Sequence, residues 1–420
     1  MTRKGGPRAA PGAPVLVLGD PDEARREEVL RGGALVVRSR QGLRAADRLL
    51  IDGLPAAAPG RLLCALDPEA VVARAARALW GSAAAVTCWH LDAHQAARAR
   101  AALARDGALA GDAPVELVCG TDLPGVTAPG EPEAAARAPF DLVALPLPRQ
   151  QEAILGRELV EEAQAALAPG GRLLAATDDP KGTWAKRILR DVTGNATVVV
   201  AERRKGLCLA ARRTKARAEV RDHRHVLPVT LRGRPLRLES RPGVFGHARL
   251  DDGTRALAEA VTVAPGEVVL DLGCGYGPLG LALAPEVAEG GGRVVLVDAN
   301  ARAVACAGRN AAANGITNAT ALLRADLEDL GLVGGPEGPA ADLVVANPPY
   351  FSNWRIAGRF VEVAAATLRP GGRLVLVAKA AREHADLLTA AFEDVRVELT
   401  PRGHGLIQGR RRRDAAAARA

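Results

Sequence analysis

An internal repeat constrains the fold of this chain more than any other feature. Two segments are nearly alike, Phe140-Asp-Leu-Val-Ala-Leu-Pro-Leu-Pro148 and Ala341-Asp-Leu-Val-Val-Ala-Asn-Pro-Pro349, and each is followed by Pro-Gly-Gly-Arg-Leu. The spacing agrees as well, because 141 to 170 and 342 to 371 each span 29 residues. A period of about 200 residues indicates a duplicated domain, since solenoid units repeat every 20 to 50 residues or so. We therefore expect two tandem domains in the 420 residues.

Apolar runs alternate with amphipathic segments in the second copy. Runs with the length of a buried strand lie at 268–272, 294–298, 320–323, 342–346, 373–377, 395–399 and 405–408. Alternation of this kind predicts a parallel sheet covered by helices on both faces. The fold class predicted for the whole chain is α/β, with two tandem Rossmann-like domains.

The repeat also suggests where the domains begin and end. We expect a disordered tail at 1–14, a first copy at 15–215, a connector at 216–240, a second copy at 241–410 and a basic tail at 411–420. Within the connector, alternating apolar residues on both sides of Gly233 predict a hairpin that turns there.

Composition indicates a soluble globular protein. The chain is 48% hydrophobic, with a mean hydropathy of +0.02. No segment approaches the roughly 20 apolar residues of a membrane helix, and the stretch up to Pro14 lacks the apolar core of a secretory signal. We therefore expect a cytoplasmic protein without a membrane partner.

The cysteines and histidines do not indicate a metal site. Six cysteines are scattered along the chain without a Cys-x-x-Cys pair. His223 and His225 lie close together but have no third ligand nearby, which favours a surface or phosphate-facing position. We expect free thiols in a reducing compartment and no metal.

The charge balance allows an acidic partner. Lys and Arg total 56 against 48 Asp and Glu, a net charge of +8. Much of the excess lies in two clusters, one that includes Arg203-Arg204-Lys205 and one at 410–413. Such runs contact nucleic-acid phosphates. A merely solvated basic face explains them equally well.

A glycine-rich segment follows the first strand of the second copy, Asp271-Leu-Gly-Cys-Gly-Tyr-Gly-Pro-Leu-Gly280. Glycines at this point let a backbone approach a nucleotide. Asp298, at the end of the second strand, is placed to accept both hydroxyls of a ribose. The same glycines fit a dinucleotide fingerprint, so a nicotinamide dehydrogenase is an alternative. Asp271 argues against it, because a carboxylate there would repel a pyrophosphate but attract the ammonium of a methionine moiety.

A second motif closes the fourth strand, Asn347-Pro348-Pro349-Tyr350. The Asn347 side chain and the Pro348 carbonyl are two acceptors, and neither proline has a competing N–H. In a chain with 5 Phe, 4 Trp and 2 Tyr, the aromatic residues Tyr350, Phe351 and Trp354 lie in one short segment, where a base can stack. The set suits a planar group that carries an NH2. The structural alternative is a strand ended by a rigid Pro-Pro turn.

The first copy lacks both motifs. It has Leu63-Cys-Ala-Leu-Asp-Pro68 in place of the glycine loop, and Pro146 stands where the second copy has Asn347. Without glycine the backbone cannot approach a ligand closely. We interpret the first copy as a degenerate duplicate, retained for binding or for stability.

These motifs resemble those of class I S-adenosylmethionine-dependent methyltransferases that act on exocyclic amines. The shared features are Asp-Leu-Gly-Cys-Gly-x-Gly, the acidic end of the second strand, Ala325-Asp326 after the third and Asn-Pro-Pro-Tyr after the fourth. The degenerate first copy and the segment 241–251 are similar to the ribosomal RNA guanine-N2 methyltransferases of the small-subunit methyltransferase C type. Two departures concern the target: Gly246-His247 replaces the usual Ser-Arg, and Tyr350 replaces the more frequent Phe.

The resemblance assigns roles to individual residues. Asp271, Gly273, Gly275 and Gly277 would hold the methionine part of S-adenosylmethionine, Asp298 the ribose and Asp326 the adenine amine. The cofactor site would also include Phe245, which lies over it, and Asn347. Asn347, Pro348 and Tyr350 would be the catalytic residues that present the guanine. Tyr350, Phe351 and Trp354 would bind the substrate base.

The implied function is methyl transfer from S-adenosylmethionine to guanine N2 in ribosomal RNA, with the small subunit as partner. Other acceptors remain open, namely a large-subunit guanine, adenine N6 or a protein glutamine. A non-catalytic RNA-binding assembly factor is the alternative from another class. The sequence specifies neither the nucleotide nor the oligomeric state.

Overall fold

The computed structural model describes residues 8–110, 113–127, 129, 137–214, 219–325, 341–348, 354–378, 381–400 and 403–413. The chain divides into two compact units, Met1–His223 and Arg224–Ala420. We call them the first and the second unit, and each is described by itself.

The first unit is an α/β sandwich with a small additional sheet. Its strands are β1 (Val15–Leu18), β2 (Arg26–Leu30), β3 (Leu35–Ser39), β4 (Arg61–Ala65), β5 (Ala85–His90), β6 (Glu116–Cys119), β7 (Phe140–Pro146), β8 (Leu167–Thr177), β9 (Val198–Arg203) and β10 (Gly206–Arg212). Its helices are α1 (Ala45–Gly53), α2 (Val71–Trp80), α3 (Ala93–Arg105), α4 (Ala153–Ala166) and α5 (Thr183–Thr193).

Two sheets organise these strands. The main sheet has the order β6-β5-β4-β7-β8-β10-β9, and only the pairs that involve β10 are antiparallel. The small sheet has the order β1-β3-β2. Ala10 donates its backbone N–H to the Gly33 carbonyl at 2.9 Å, so part of the expected tail contacts the loop before β3.

The second unit repeats the main architecture. Its strands are β11 (His225–Leu231), β12 (Arg234–Ser240), β13 (Val268–Leu272), β14 (Arg293–Asp298), β15 (Ala319–Leu323), β16 (Ala341–Ala346), β17 (Leu368–Ala378), β18 (Phe392–Leu399) and β19 (Gly405–Arg411). Its helices are α6 (Asp252–Ala260), α7 (Pro278–Val287), α8 (Ala301–Ala313), α9 (Trp354–Thr367) and α10 (Ala381–Leu388).

The sheet order of the second unit matches that of the first. It is β15-β14-β13-β16-β17-β19-β18, again antiparallel only where β19 pairs. Every strand predicted in the second copy is present, and the predicted fold class of two tandem Rossmann-like domains is confirmed. The carboxyl ends of β13, β14 and β16 therefore meet at one edge, as the motifs require.

Apolar layers cover both faces of the second sheet. One layer joins β13, β14 and β16 to Leu257 of α6, Leu281 of α7 and Ala307 of α8. The other layer joins the same sheet to Phe360 of α9 and Leu388 of α10. Because both faces are covered, all five residues of β13 are buried, which explains why four of the five are apolar.

The hairpin predicted at Gly233 belongs to the second unit, as β11 and β12. Two asparagines one turn apart hold it in place, Asn310 of α8 and Asn314, the residue that caps the end of α8. Asn310 accepts from the Glu239 N–H at 2.6 Å and donates to the Glu239 carbonyl at 2.8 Å. Asn314 exchanges the same pair of bonds with Arg237, both at 2.9 Å. The side-chain amides act as strand partners and so fix the chain just before segment 241–251.

No helix in the described part of the chain is long and apolar enough to cross a membrane. All six cysteines are free thiols, and no cluster of ligating side chains suited to a metal occurs among the described residues.

Candidate active site

The glycine loop connects β13 to α7 at the carboxyl edge of the sheet. Gly273, Gly275 and Gly277 have φ values of 70°, 56° and 88°. These left-handed conformations favour glycine. The N–H groups of Gly273 and Cys274 donate to the Val297 carbonyl at 2.8 and 3.0 Å. The loop is thereby held against β14, with its glycine surface facing the cleft described below.

Asp271 lies beneath the first turn of α7. Its side chain is 1% exposed, and Oδ2 accepts from the Gly280 N–H at 2.9 Å. Burial raises the pKa of Asp271 to about 7, the hydrogen bond from Gly280 opposes that rise, and the negative charge of Asp298 adds to it. A positive charge nearby would stabilise the ionised form of this carboxyl group.

Asp298 joins the glycine loop to the second strand. Its Oδ2 accepts from the Gly275 N–H and its Oδ1 from the Asn300 N–H, both at 2.9 Å. Asn300 in turn caps α8 and donates to the Gly243 carbonyl at 2.7 Å. One carboxylate therefore orders the loop, the start of α8 and, through Asn300, segment 241–251.

Segment 241–251 lies over the glycine loop. The Tyr276 hydroxyl donates to the Arg249 carbonyl at 3.0 Å, and the buried Arg302 donates to the Pro242 carbonyl at 2.9 Å. Phe245 has 53% of its surface exposed, although it is a large apolar residue. An exposed aromatic residue beside a polar cleft is suited to cover a bound ligand.

A narrow cleft, with a free volume of about 20 Å³, lies between the loop and this segment. Its lining comes from the glycine loop, segment 241–251, α6, the start of α7 and the end of β16. The lining residues are Phe245, Gly246, Asp251, Thr254, Gly273, Cys274, Gly275, Tyr276, Pro278 and Asn347.

Asn347 reaches this cleft from the end of β16. Its Nδ2 donates to Asp251 Oδ2 and to Thr254 Oγ1, both at 2.8 Å. Its Oδ1 is buried and accepts no hydrogen bond from any described residue. Pro348, the next residue, is buried. A buried amide oxygen without a donor is costly, so the geometry points to a donor supplied by a ligand.

The structure brings together some of the residues predicted from sequence. Phe245, Gly273, Gly275 and Asn347 line one cleft. Asp271, Gly277 and Asp298 lie in or against the same loop. Asp326, Tyr350 and Phe351 fall outside the described residues. Trp354 begins α9, and its side chain is also outside the described part. The roles of these residues remain predictions.

Sequence reasoning missed Asp251 and Thr254. Asp251 caps α6 and accepts the Thr254 N–H at 2.9 Å. The pattern Asp-x-x-Thr before a helix was a visible capping signal. Nothing in the sequence said that the same carboxylate would meet Asn347, which is 96 residues away.

Comparison with known proteins agrees with this geometry. The sequence model of the methyltransferase small domain matches residues 235–407. "Ribosomal RNA small subunit methyltransferase C" from Chromohalobacter salexigens is 42% identical over 170 residues, which are 39% of this chain and 47% of that protein. The protein of the same name from Pseudomonas putida F1 is 32% identical over 181 residues, 42% of this chain and 52% of that one. The chain thus spans about half the length of the curated relatives it matches.

A solved structure matches almost the whole chain. It is described as the T. thermophilus 16S rRNA N2 G1207 methyltransferase (RsmC) in complex with AdoMet and guanosine. The TM-score is 0.68 at 24% identity, with 93% of this chain and 99% of that chain covered. The resemblance inferred from the motifs is confirmed: residues 235–407 match the methyltransferase small domain, and the chain has the fold of the RsmC-type class I methyltransferases.

Proposed function

We propose that the second unit binds S-adenosylmethionine and methylates the exocyclic N2 amine of a guanine in ribosomal RNA of the small subunit. One observation carries the proposal. The buried Asn347 Oδ1, which lacks a donor among the described residues, lies in the cleft formed by the glycine loop. An aromatic amine is a ligand that supplies the missing N–H. The T. thermophilus protein, solved with AdoMet and guanosine, is named an N2 methyltransferase, which supports the choice of amine.

The donor set around the glycine loop fits S-adenosylmethionine. Gly273, Gly275 and Gly277 expose backbone rather than side chains, and a carboxylate on each side, Asp271 and Asp298, suits an ammonium and a ribose. When bound, this cofactor supplies an electrophilic sulfonium methyl group. Phe245 would cover it from solvent. Asp326 is proposed, from the resemblance alone, for the adenine amine.

The protein contributes mainly position. The lone pair of an exocyclic guanine amine is delocalised into the ring, so the amine is a poor nucleophile. Asn347 Oδ1 would accept one N–H and the Pro348 carbonyl the other, which fixes the plane of the base and favours the pyramidal nitrogen of the transition state. The ammonium product is acidic enough to lose its proton to water or to a nearby carbonyl, so no strong general base is needed. Tyr350, Phe351 and Trp354 are proposed to stack on the base.

A basic surface on the first unit supports RNA as the partner. Arg149, Lys181, Arg204 and Lys205 are exposed and form no ion pair with any described residue. They follow β7, β8 and β9, so they lie at the carboxyl edge of the first sheet. Leu207 pairs with Thr177 where β10 runs beside β8, which brings Arg204 and Lys205 next to the loop after β8. We name these four residues the basic edge and propose that it contacts RNA phosphates.

Transfer of labelled methyl tests the proposal. Purified small subunits, large subunits, naked ribosomal RNA and a glutamine-containing peptide are each incubated with the protein and labelled S-adenosylmethionine, followed by nucleoside mass analysis. We expect N2-methylguanosine from small-subunit material. Label on the peptide, on adenine or on none of the four would overturn the assignment. Because rRNA is the proposed substrate, we also expect a cytoplasmic protein.

A further inference from the structure

We infer that Asp251 and Thr254 set the polarity of Asn347, so that the reacting position accepts an N–H donor and rejects a base that lacks one. The inference rests on the proposed function and identifies two positioning residues for it. Neither residue needs to touch the cofactor or the base, because both act through the amide of Asn347.

The argument begins with the symmetry of an asparagine amide. Its NH2 and its oxygen have almost the same shape, so packing alone does not decide which one faces the cleft. Asp251 decides it, because an ionised carboxylate has acceptors and no donor. With Oδ2 at 2.8 Å, only the NH2 of Asn347 can face Asp251. A flipped amide would place two oxygens against each other.

Thr254 provides a second acceptor for the same NH2 group. Its hydroxyl lies 3.4 Å from Asp251 Oδ2 and 2.8 Å from Asn347 Nδ2. Since the carboxylate accepts the hydroxyl proton, the hydroxyl lone pairs remain for the amide N–H. Both Nδ2 protons are therefore used, and Oδ1 is left facing the cleft without a donor among the described residues.

The helix that carries these two residues is fixed at both ends. At its start, Asp251 accepts the Thr254 N–H at 2.9 Å. At its end, the Arg232 guanidinium donates to the carbonyls of Ala258 and Val261, both at 2.7 Å. Leu257 is fully buried between them. A polar group on a rigid element holds a catalytic side chain more closely than one on a loop.

The consequence is selectivity among purines. Guanine and hypoxanthine share every ring atom and the O6 carbonyl, but only guanine has the N2 amine. With the amide fixed, hypoxanthine leaves Asn347 Oδ1 buried and unsatisfied, which a site built for a hydrogen bond disfavours strongly. If the amide could flip, its NH2 would oppose the guanine amine, and the preference for guanine would narrow.

Matched variants test the inference in the full chain. Thr254→Val removes the hydroxyl at constant shape, and Thr254→Ser retains it. Asp251→Asn retains helix capping but gives the amide a partner that can also donate. Asp252→Asn removes a charge from the same turn without a contact to Asn347 and is the control. Each is measured for kcat and KM on guanine-containing RNA, for S-adenosylmethionine affinity by calorimetry, and for inhibition by the same RNA with inosine at the target.

We expect Thr254→Val and Asp251→Asn to lower kcat about 10- to 100-fold, as expected when a preorganised hydrogen-bonding group is loosened, with unchanged cofactor affinity. Their preference for guanine over inosine in binding should also narrow. Thr254→Ser should recover most of the loss, whereas a purely structural role would leave the preference unchanged. A wild-type preference retained in both variants overturns the inference. Absence of methyl transfer by the wild type overturns the proposed function instead. If Asp251→Asn fails to fold, the comparison of Thr254→Val with Thr254→Ser tests the inference alone.

Discussion

The two units share a scaffold to a fine level of detail. Both sheets have the same strand order. Asp141 accepts the Arg61 N–H at 2.8 Å, and Asp342 accepts the Val268 N–H at the same distance. The turn glycines Gly170 and Gly371 have φ values of 78° and 80°. None of these features contacts a ligand site, so they report what the fold itself requires.

At the ligand edge the units differ at corresponding positions. Cys64 pairs with Ala144 in the first sheet as Asp271 pairs with Val345 in the second, and the repeat places Pro146 where Asn347 stands. Asp271 thus has a thiol as its counterpart. The residue after the last β4–β5 pair is His90, and the residue after the last β13–β14 pair is Asp298. Burial and the positive charge of Arg44 lower the pKa of His90 to about 4, so it is neutral at pH 7.

The loop after β4 keeps the length and the backbone of the glycine loop without its glycines. Leu66 and Ala70 have φ values of 52° and 51°, at the positions of Gly273 and Gly277. Asp67 accepts the N–H groups of Val71, Val72 and Ala73 at 2.7, 2.8 and 3.2 Å. An internal carboxylate therefore occupies the helix N-terminus, where an open loop could receive a ligand. A binding site can be lost while the scaffold is kept.

The largest predicted effect is on kcat, when the second unit loses the Asn347 side chain that the first unit also lacks. Asn347→Ala removes the acceptor, as Pro146 does in the first unit. We expect kcat to fall by about 10²–10³-fold, the typical cost of one preorganised hydrogen-bonding group. Calorimetry should show S-adenosylmethionine still bound, since Asn347 lies at the acceptor side of the cleft. Turnover at the wild-type rate would remove Asn347 from the mechanism.

Asp298→His places at the end of β14 the residue type that the first unit has at the corresponding position, His90. The carboxylate that holds Gly275 and Asn300 is lost, together with the proposed acceptor for the ribose hydroxyls. We expect S-adenosylmethionine binding to weaken by about 1–3 kcal/mol, the cost of lost hydrogen bonds to a charged group. Asp298→Ala should behave alike. Unchanged affinity in calorimetry would mean that the ribose lies elsewhere.

The sequence predicted the shared scaffold better than the site. Strands and repeat spacing follow from apolar runs and turn glycines, which are local patterns. The partners of Asn347 were not predictable, because they are distant in sequence and meet it only after folding. Asp251 is 96 residues and Thr254 is 93 residues away from Asn347. The small sheet at 15–39 was not predicted as a sheet for a related reason, since its edge strand Arg26–Leu30 is mostly polar and has little apolar signal.

A smaller effect, on stability, is expected at Asp67, whose carboxylate occupies the loop after β4 in the first unit. Asp67→Ala removes the carboxylate from the N-terminus of α2 and should destabilise the first unit by about 1 kcal/mol at pH 7, the usual cost of a lost cap. Three of the four tryptophans, Trp80, Trp89 and Trp184, lie in this unit, so urea unfolding followed by tryptophan fluorescence reports mainly on it.

The destabilisation caused by Asp67→Ala should depend on pH in a definite direction. Burial raises the pKa of Asp67 to about 6, and the negative charge of Asp47 adds to the rise, while Arg44 opposes it. The folded state therefore binds the proton more tightly than the unfolded state, and the contribution of Asp67 to stability grows as pH falls from about 6 to 4. The difference between wild type and Asp67→Ala should widen over that interval. A difference that narrows would contradict the raised pKa.

The smallest predicted effect concerns why the first unit is retained at all. If the basic edge contacts phosphates, Arg204→Ala and Lys205→Ala should each reduce the slope of log K against log salt by about 0.7–0.9 in RNA binding. Arg203→Ala is a matched control from the same turn, because Arg203 is already paired with Asp52 at 2.6 Å and has less charge to offer. Equal slopes in all three variants and the wild type would leave stability as the reason for keeping the copy. A reduced slope in Arg204→Ala and Lys205→Ala alone would show that the basic edge binds phosphates although this unit lacks a glycine loop. Phosphate binding needs only exposed cations and not an open glycine loop.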